Sequence, residues 1–348
     1  MFQTKIAGIG MYVPVNVVTN NDLLKYMDTS DEWIQERTGI KERRYADRTN
    51  ETTTTMGVEA SKIAIERAGI TAQDIDFIIF ATLSPDYYFP GCGVLLQRAM
   101  KMKEIGALDV RNQCSGFIYA LSVGDQFIKT GMYKNILVVG AEKHSFGLDF
   151  STRGRNISVI FGDGAGAVVL QPAAKKQGIL STHLHSDGGS AEILAMYNPG
   201  THANHWMEQS LADFDEAEIG EMFFSHAMID KAQVFPNMDG PAVFKKAVEK
   251  FPEVILEALH ANNLQTSDLR LLIPHQANLR ISQFVQRKLG LHDDQVYNNI
   301  QKFGNTTAAS IPIALCEAWE QGKIKEDDLI CLAAFGSGFT WASALLRW

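Results

Sequence analysis

Cys114 lies in the run Val110-Arg111-Asn112-Gln113-Cys114-Ser115-Gly116-Phe117, immediately ahead of apolar residues at helical spacing. Unpaired N–H groups of a first helical turn and the helix dipole lower a thiol's pKa and make a thiolate nucleophile. The alternative is a small buried hydrophobe, the part that Cys92, Cys316 and Cys331 fit. His275, in Ile273-Pro274-His275-Gln276-Ala277-Asn278, follows an apolar strand pattern and a proline. At the mouth of a sheet an imidazole is a general base or a hydrogen-bond donor, and equally a structural histidine. Asn305, in Phe303-Gly304-Asn305-Thr306-Thr307, is an amide donor or plain turn chemistry. Only the conjunction of the three points to catalysis.

Two further glycine-rich runs and a set of histidines bear on chemistry. Phe161-Gly162-Asp163-Gly164-Ala165-Gly166-Ala167 lacks the spacing of a phosphate loop and leads into β-type Val168-Val169-Leu170, so it reads as close backbone packing. Phe335-Gly336-Ser337-Gly338-Phe339 is read as following the last strand, where glycines let a backbone N–H reach a reacting carbonyl. His183, His185, His202 and His205 include one ligand-like His-x-x-His spacing, but no cysteine or acidic motif completes a set, and no metal is expected.

The elements that must position these residues read as strands alternating with helices. Asp76 to Leu83 and Asn135 to Gly140 are buried-strand runs, following helical patterns at 53–68 and 117–130. The segment from Ile70 to Ile79 resembles that from Leu264 to Ile273 at an offset of about 194 residues, and Asn135-Ile136-Leu137-Val138-Val139 matches Asp328-Leu329-Ile330-Cys331-Leu332 at nearly the same offset. The chain therefore reads as two duplicated α/β halves, 1–172 carrying the cysteine and 173–348 carrying the histidine and asparagine. Pseudo-twofold packing would bring Cys114, His275 and Asn305 together. Residues 191–237 break the repeat and read as an insertion, a helical cap.

Composition narrows the classes. The 348 residues are 46% hydrophobic and 21% charged, which excludes wholesale disorder and fibrous repeats. The net charge of −8 argues against nucleic acid as a partner. No apolar run is long enough to cross a bilayer, so no membrane partner is expected. Four cysteines without a CxxC pair suggest a reducing compartment, hence the cytoplasm.

Taken together, Gln113-Cys114-Ser115-Gly116-Phe117, His275-Gln276-Ala277-Asn278-Leu279-Arg280, Gly304-Asn305-Thr306 and the ending Phe335-Gly336-Ser337-Gly338-Phe339-Thr340-Trp341 resemble the β-ketoacyl-[acyl-carrier-protein] synthase III family. The resemblance runs from the first strand to Trp348, the insertion excepted. It implies the thiolase fold, two duplicated halves in five αβαβα layers, and a homodimer. It implies a condensation in which a thiolate takes an acyl group from acyl-CoA and malonyl-[acyl-carrier protein], losing CO2, attacks the acyl-enzyme. Cys114 would be the nucleophile, and His275 and Asn305 would hold the malonyl thioester oxygen. The backbone N–H groups of Cys114 and Ser337 would form the oxyanion hole. Acyl-CoA is then a substrate, and no cofactor is expected.

The same resemblance places coenzyme A against Trp33, Arg37 and Thr38, against Arg155 or its neighbour Arg153, and along Gly240, Phe244, Ala277 and Asn278. It makes Phe89 the residue that closes the partner subunit's acyl pocket. Lys245, Lys246, Arg280, Arg287 and Lys288 form a basic cluster suited to an acidic carrier protein. The chain departs from the family pattern at Gln113, Ser115 and Ser337, where only backbone roles are at stake. The insertion precedes the pantetheine-lining segment, so a primer longer than acetyl is expected. Rival readings are a secondary-metabolite or head-to-head condensing enzyme, and a cysteine-dependent acyltransferase.

Overall fold

The computed structural model describes residues 3–173, 177–201 and 223–348. Its strands are β1 (Gln3–Tyr12), β2 (Phe77–Ala81), β3 (Gly106–Val110), β4 (Ile136–Glu142), β5 (Gly164–Ala173), β6 (Gly178–Ser186), β7 (Leu271–Pro274), β8 (Leu329–Gly336) and β9 (Thr340–Arg347), with three shorter pieces not lettered here and a two-residue strand at Asn237–Met238. Its main helices are α1 (Asp31–Thr38), α2 (Thr53–Arg67), α3 (Cys92–Ala99), α4 (Gly116–Lys129), α5 (Gly240–Ala261), α6 (Leu279–Leu289) and α7 (Ser310–Glu320).

The first sheet runs β1-β5-β4-β2-β3 and the second β6-β9-β8-β7. The first pair in each is antiparallel, the second antiparallel, the third parallel. Shared strand order and shared senses are what a duplicated chain produces. Even β3, which pairs parallel with β2, has a counterpart, since Val296 makes a single parallel bridge to Leu272 of β7.

Alternating side chains sort the layers. Ile79 and Val138 face inward with Phe117, Ile118 and Leu121 of α4, Ile311, Ala314 and Leu315 of α7, and Ile330 and Leu332 of the other sheet. Ile78, Phe80, Leu137 and Val139 face outward against Met56, Ala60 and Ala64 of α2 and Leu96 of α3. On the far side, Leu272, Cys331, Ala333 and Leu345 pack against Phe251, Ile255 and Ala258 of α5 and Ile281 and Val285 of α6. The result is five layers, with α4 and α7 enclosed between the sheets. Each large apolar side chain so buried contributes about 1.5–3 kcal/mol.

One sequence reading changes here. Phe335 to Phe339 does not follow the last strand. It is the connection from β8 to β9, which pair along Gly336–Thr340 to Leu329–Arg347. The stretch 191–237 is closed at its base by Leu194–Ala195 pairing antiparallel with Asn237–Met238, and holds a five-residue helix at His226–Asp230. Residues 202–222, with His202 and His205, lie outside the described residues.

Candidate active site

Each enclosed helix is preceded by a 3₁₀ turn, Gln113–Ser115 before α4 and Thr307–Ala309 before α7. Both turns open on a residue in the left-handed region, Gln113 at φ 41° and Thr307 at φ 47°. These two positions are one repeat length apart. The turns are also wedged crosswise. A Cβ on Gly336 of β8 would lie 2.4 Å from Cys114 Cβ and 2.7 Å from its Sγ, and a Cβ on Gly140 of β4 would lie 2.4 Å from the Ala308 carbonyl oxygen. Each turn thus rests on a glycine of the opposite sheet, which is how Cys114 meets the other half.

Cys114, His275 and Asn305 line one cavity of about 140 Å³, together with Phe161, Leu194, Gly240, Phe244, Ala277 and Asn278 among others. A roomier surface groove of about 620 Å³, lined by Asn16, Asp22, Tyr45 and Arg48 among others, carries none of the three. Among the described residues, no group of three or more His, Cys, Asp or Glu is arranged to hold a metal ion.

His275 follows β7, its N–H donating to the Ala333 carbonyl at 2.7 Å. Its Nδ1 lies 2.6 Å from Ser310 Oγ at the start of α7. Ser310 Oγ also accepts from the Gln276 N–H at 3.4 Å, and where its own proton goes to Nδ1 the ring proton sits on Nε2. Nε2 is buried without a hydrogen-bond partner among the described residues. Burial holds the imidazole well below its ordinary 6.5, at about 3, so it is neutral.

Asn305 is clamped by the glycine-rich run. Its N–H donates to the Ile160 carbonyl at 2.9 Å, and its carbonyl accepts from the Gly162 N–H at 3.0 Å. A Cβ on Gly162 would fall 2.1 Å from the Phe303 carbonyl oxygen, so close packing explains that run. Asn305 Oδ1 accepts from the Thr307 N–H at 2.8 Å, which orients the amide so that Nδ2 is its free end.

Cys114 corrects the expected pKa direction. Burial pushes the thiol up to about 12, and the charge of Glu142 adds to the rise, while the N–H groups of Ser337 and of Cys114 itself pull it down. Desolvation outweighs the helix terminus. The resting pair is a thiol beside a neutral imidazole. The two N–H groups expected to form an oxyanion hole are thus the same two that pull the thiol's pKa down. The Ser337 side chain turns away, donating to the Leu194 carbonyl at 2.5 Å.

The remaining positions fall around the cavity mouth. The Asn278 amide caps α6 and donates to the Arg37 carbonyl at 2.8 Å, tying the end of α1 to the cavity wall. Trp33 is half-buried, with the Arg37 guanidinium 4.4 Å and that of Arg155 5.2 Å from its ring. Arg153 instead pairs with Asp149 at 2.7 Å, 5.9 Å from the Phe235 ring. Thr38 lies at the end of α1. It is buried, and its hydroxyl donates to the Ile34 carbonyl at 2.6 Å and accepts from the Ile40 N–H at 3.0 Å, finishing α1. Phe89 is 81% exposed, beside Tyr88, and does not line its own chain's cavity. Lys245, Arg280, Arg287 and Lys288 are exposed on α5 and α6, while Lys246 lies 3.8 Å from Asp187.

Ser310, Thr307, Phe161 and Leu194 were not singled out from sequence. Ser310 carries only a helix-start signal, and Leu194 reaches the cavity through the 191–237 excursion.

A five-layered duplicated fold with a cysteine, a neutral histidine and an oriented asparagine around one cavity defines a thiolase-fold condensing enzyme. Residues 108–188 match the family 3-oxoacyl-[acyl-carrier-protein (ACP)] synthase III, and 259–348 match its C-terminal counterpart. The β-ketoacyl-[acyl-carrier-protein] synthase III of Aquifex aeolicus is 43% identical over 99% of both chains, and that of Pseudoalteromonas atlantica 45% over 99% of both. The crystal structure of the synthase III from Thermus thermophilus superposes with a TM-score of 0.88 at 37% identity, over 99% of each chain. The chain belongs to the β-ketoacyl-[acyl-carrier-protein] synthase III family.

Proposed function

We propose that this enzyme joins an acyl-CoA primer to malonyl-[acyl-carrier protein], starting fatty acid synthesis. Cys114 attacks the primer thioester, and the thiol proton leaves with the departing CoA as CoA–SH. The Cys114 and Ser337 N–H groups hold the oxygen that gains charge. The malonyl thioester then enters the same cavity. His275 Nε2–H and the Asn305 amide hold its oxygen while CO2 leaves, and the enolate carbon attacks the acyl-cysteine. The bond from the acyl carbon to Cys114 sulfur breaks, the 3-oxoacyl product departs, and the released Cys114 thiolate takes a proton from water. The carrying observation is the neutral, unpartnered Nε2 of His275 beside an amide whose oxygen is already engaged. Two neutral donors stabilise an enolate without removing a proton, which suits decarboxylation.

Coenzyme A is assigned to the cavity mouth, its adenine on Trp33 between Arg37 and Arg155, its pantetheine past Asn278, Ala277, Phe244 and Gly240. The seating of Arg155 on Trp33 supports Arg155 over Arg153. Thr38 is assigned to the coenzyme A side of the mouth with Trp33 and Arg37, its hydroxyl ending α1. The exposed cations of α5 and α6 are assigned to the acidic carrier protein. The chain works as a cytoplasmic homodimer of two-half subunits, 1–172 and 173–348, with Phe89 closing the partner's acyl pocket. Among the described residues no helix is long and apolar enough to cross a membrane.

The primer is longer than acetyl. The base of the 191–237 excursion supports this, because Leu194 and Met238 both line the cavity. Acyl-CoAs of graded length, each offered with malonyl-[acyl-carrier protein], test it. The highest kcat/KM is expected beyond two carbons. Equal or better turnover of acetyl-CoA overturns the primer reading and leaves the condensation intact.

A further inference from the structure

A second buried histidine stands behind the site, and the chemistry above does not use it. His144 follows β4, is 7% exposed, and stacks on Phe161 of the cavity wall with centroids 4.5 Å apart. Its Nε2 lies 2.7 Å from Thr307 Oγ1, across 163 residues of sequence. Thr307 is β-branched yet sits at φ 47°, a region such residues rarely adopt. Its N–H, aimed by that conformation, is the group that fixes Asn305 Oδ1 at 2.8 Å. The backbone around His144 is itself anchored. Asp163 accepts from the Ser145 N–H at 2.9 Å, the Ser145 hydroxyl at 2.5 Å and the Ala46 N–H at 2.8 Å.

We propose that His144 is a positioning residue for the decarboxylation step, holding Thr307 so that its N–H locks the Asn305 amide with Nδ2 toward the malonyl oxygen. This rests on the reading that Asn305 donates to that oxygen. His144 touches no substrate; it acts through Thr307 alone. Losing the contact frees Thr307 to relax and Asn305 to rotate, offering its oxygen where a donor is needed. Cys114 and the Ser337 N–H lie outside this chain of contacts, so acyl transfer from CoA stays as it is.

The two half-reactions separate the claim from a merely structural role. Full-length wild type, His144→Leu, His144→Gln, Thr307→Val and Asn305→Ala are compared. Acylation of Cys114 by acyl-CoA is followed by intact mass, and CO2 release by acyl-enzyme supplied with carboxyl-labelled malonyl-[acyl-carrier protein]. His144→Leu and Thr307→Val should slow CO2 release about tenfold or more while acylation stays within about twofold, the loss of one positioned donor being the effect read. His144→Gln, which keeps a polar end, should recover part of the rate. In an Asn305→Ala background His144→Leu should have no further effect, the non-additivity of groups acting as one unit. If Asn305→Ala alone leaves CO2 release unchanged, the reading of Asn305 falls and the proposal with it. If Asn305→Ala slows release but both His144→Leu and Thr307→Val leave it intact, or slow both half-reactions alike, the positioning role alone is overturned. Thr307→Val carries the test should His144→Leu not fold.

Discussion

At the residue scale the site is a set of neutral groups held by burial. A thiol pushed up to about 12 and an imidazole held at about 3 cannot form a standing thiolate–imidazolium pair, so charge develops only as substrate arrives. Ser310, on the other ring nitrogen of His275, is the group placed to set its tautomer. Ser310→Ala removes one neutral hydrogen bond, worth about 1 kcal/mol, and should slow decarboxylation about fivefold while sparing Cys114 acylation. Single-turnover CO2 release checks it, and an equal loss in both half-reactions would count against the assignment. Cys114, His275 and Asn305 were legible because their types and local contexts are distinctive. The thiol's pKa direction was not, because the helix terminus is visible in the string Gln113-Cys114-Ser115-Gly116 whereas the desolvating wall comes from remote segments. The contact between His144 and Thr307 leaves no local trace either.

At the element scale the duplication does the positioning. Each enclosed helix starts from a strained 3₁₀ turn that leans on a glycine of the opposite sheet, Gly336 under Cys114 and Gly140 under Ala308. Alanine at these two positions should therefore act on different steps. Gly336→Ala displaces the nucleophile and should cut acylation by about 100-fold, the scale of a misplacement near 1 Å. Gly140→Ala presses on the turn that carries Thr307 and should cut CO2 release more than acylation, with overpacking costing about 1–3 kcal/mol of stability. Intact-mass acylation rates, labelled CO2 release and thermal melts read all three quantities. The same loss pattern in both variants would contradict the crosswise arrangement. The repeat itself was legible, because buried strands such as Phe77–Ala81 and Leu271–Pro274 are unbroken apolar runs at a constant offset. Strand β9 was not, since Thr340-Trp341-Ala342-Ser343-Ala344-Leu345-Leu346-Arg347 mixes helix and strand formers. Its pairing on both edges, with β8 and β6, overrides that propensity.

At the scale of the whole molecule the buried titratable groups set how stability follows pH. His144 and His275 are held at about 3, below the ordinary 6.5, so the unfolded chain protonates first. Their contribution is complete above pH 6.5 and is lost as pH falls from 6.5 toward 3. Glu142 runs the other way. Burial raises it from 4.5 to about 7, so its contribution is complete below 4.5 and is lost as pH rises through about 7. Burial raises Asp109 and Asp163 too, so they act with Glu142 against the two histidines, and each group's share is read from its own variant. As pH falls below 6.5, melting temperatures should fall less steeply in His144→Leu than in wild type and more steeply in Glu142→Gln; a His144→Leu profile parallel to wild type would contradict the burial of that ring. The catalytic account rests above all on Cys114 carrying the acyl group between two partners. Intact-protein mass spectrometry after incubation with acyl-CoA, followed by malonyl-[acyl-carrier protein], tests this directly. The account predicts an acyl mass gain in wild type and none in Cys114→Ala, cleared on adding the carrier substrate with appearance of a 3-oxoacyl product. An adduct that survives Cys114→Ala, or one that malonyl-[acyl-carrier protein] does not clear, would contradict it.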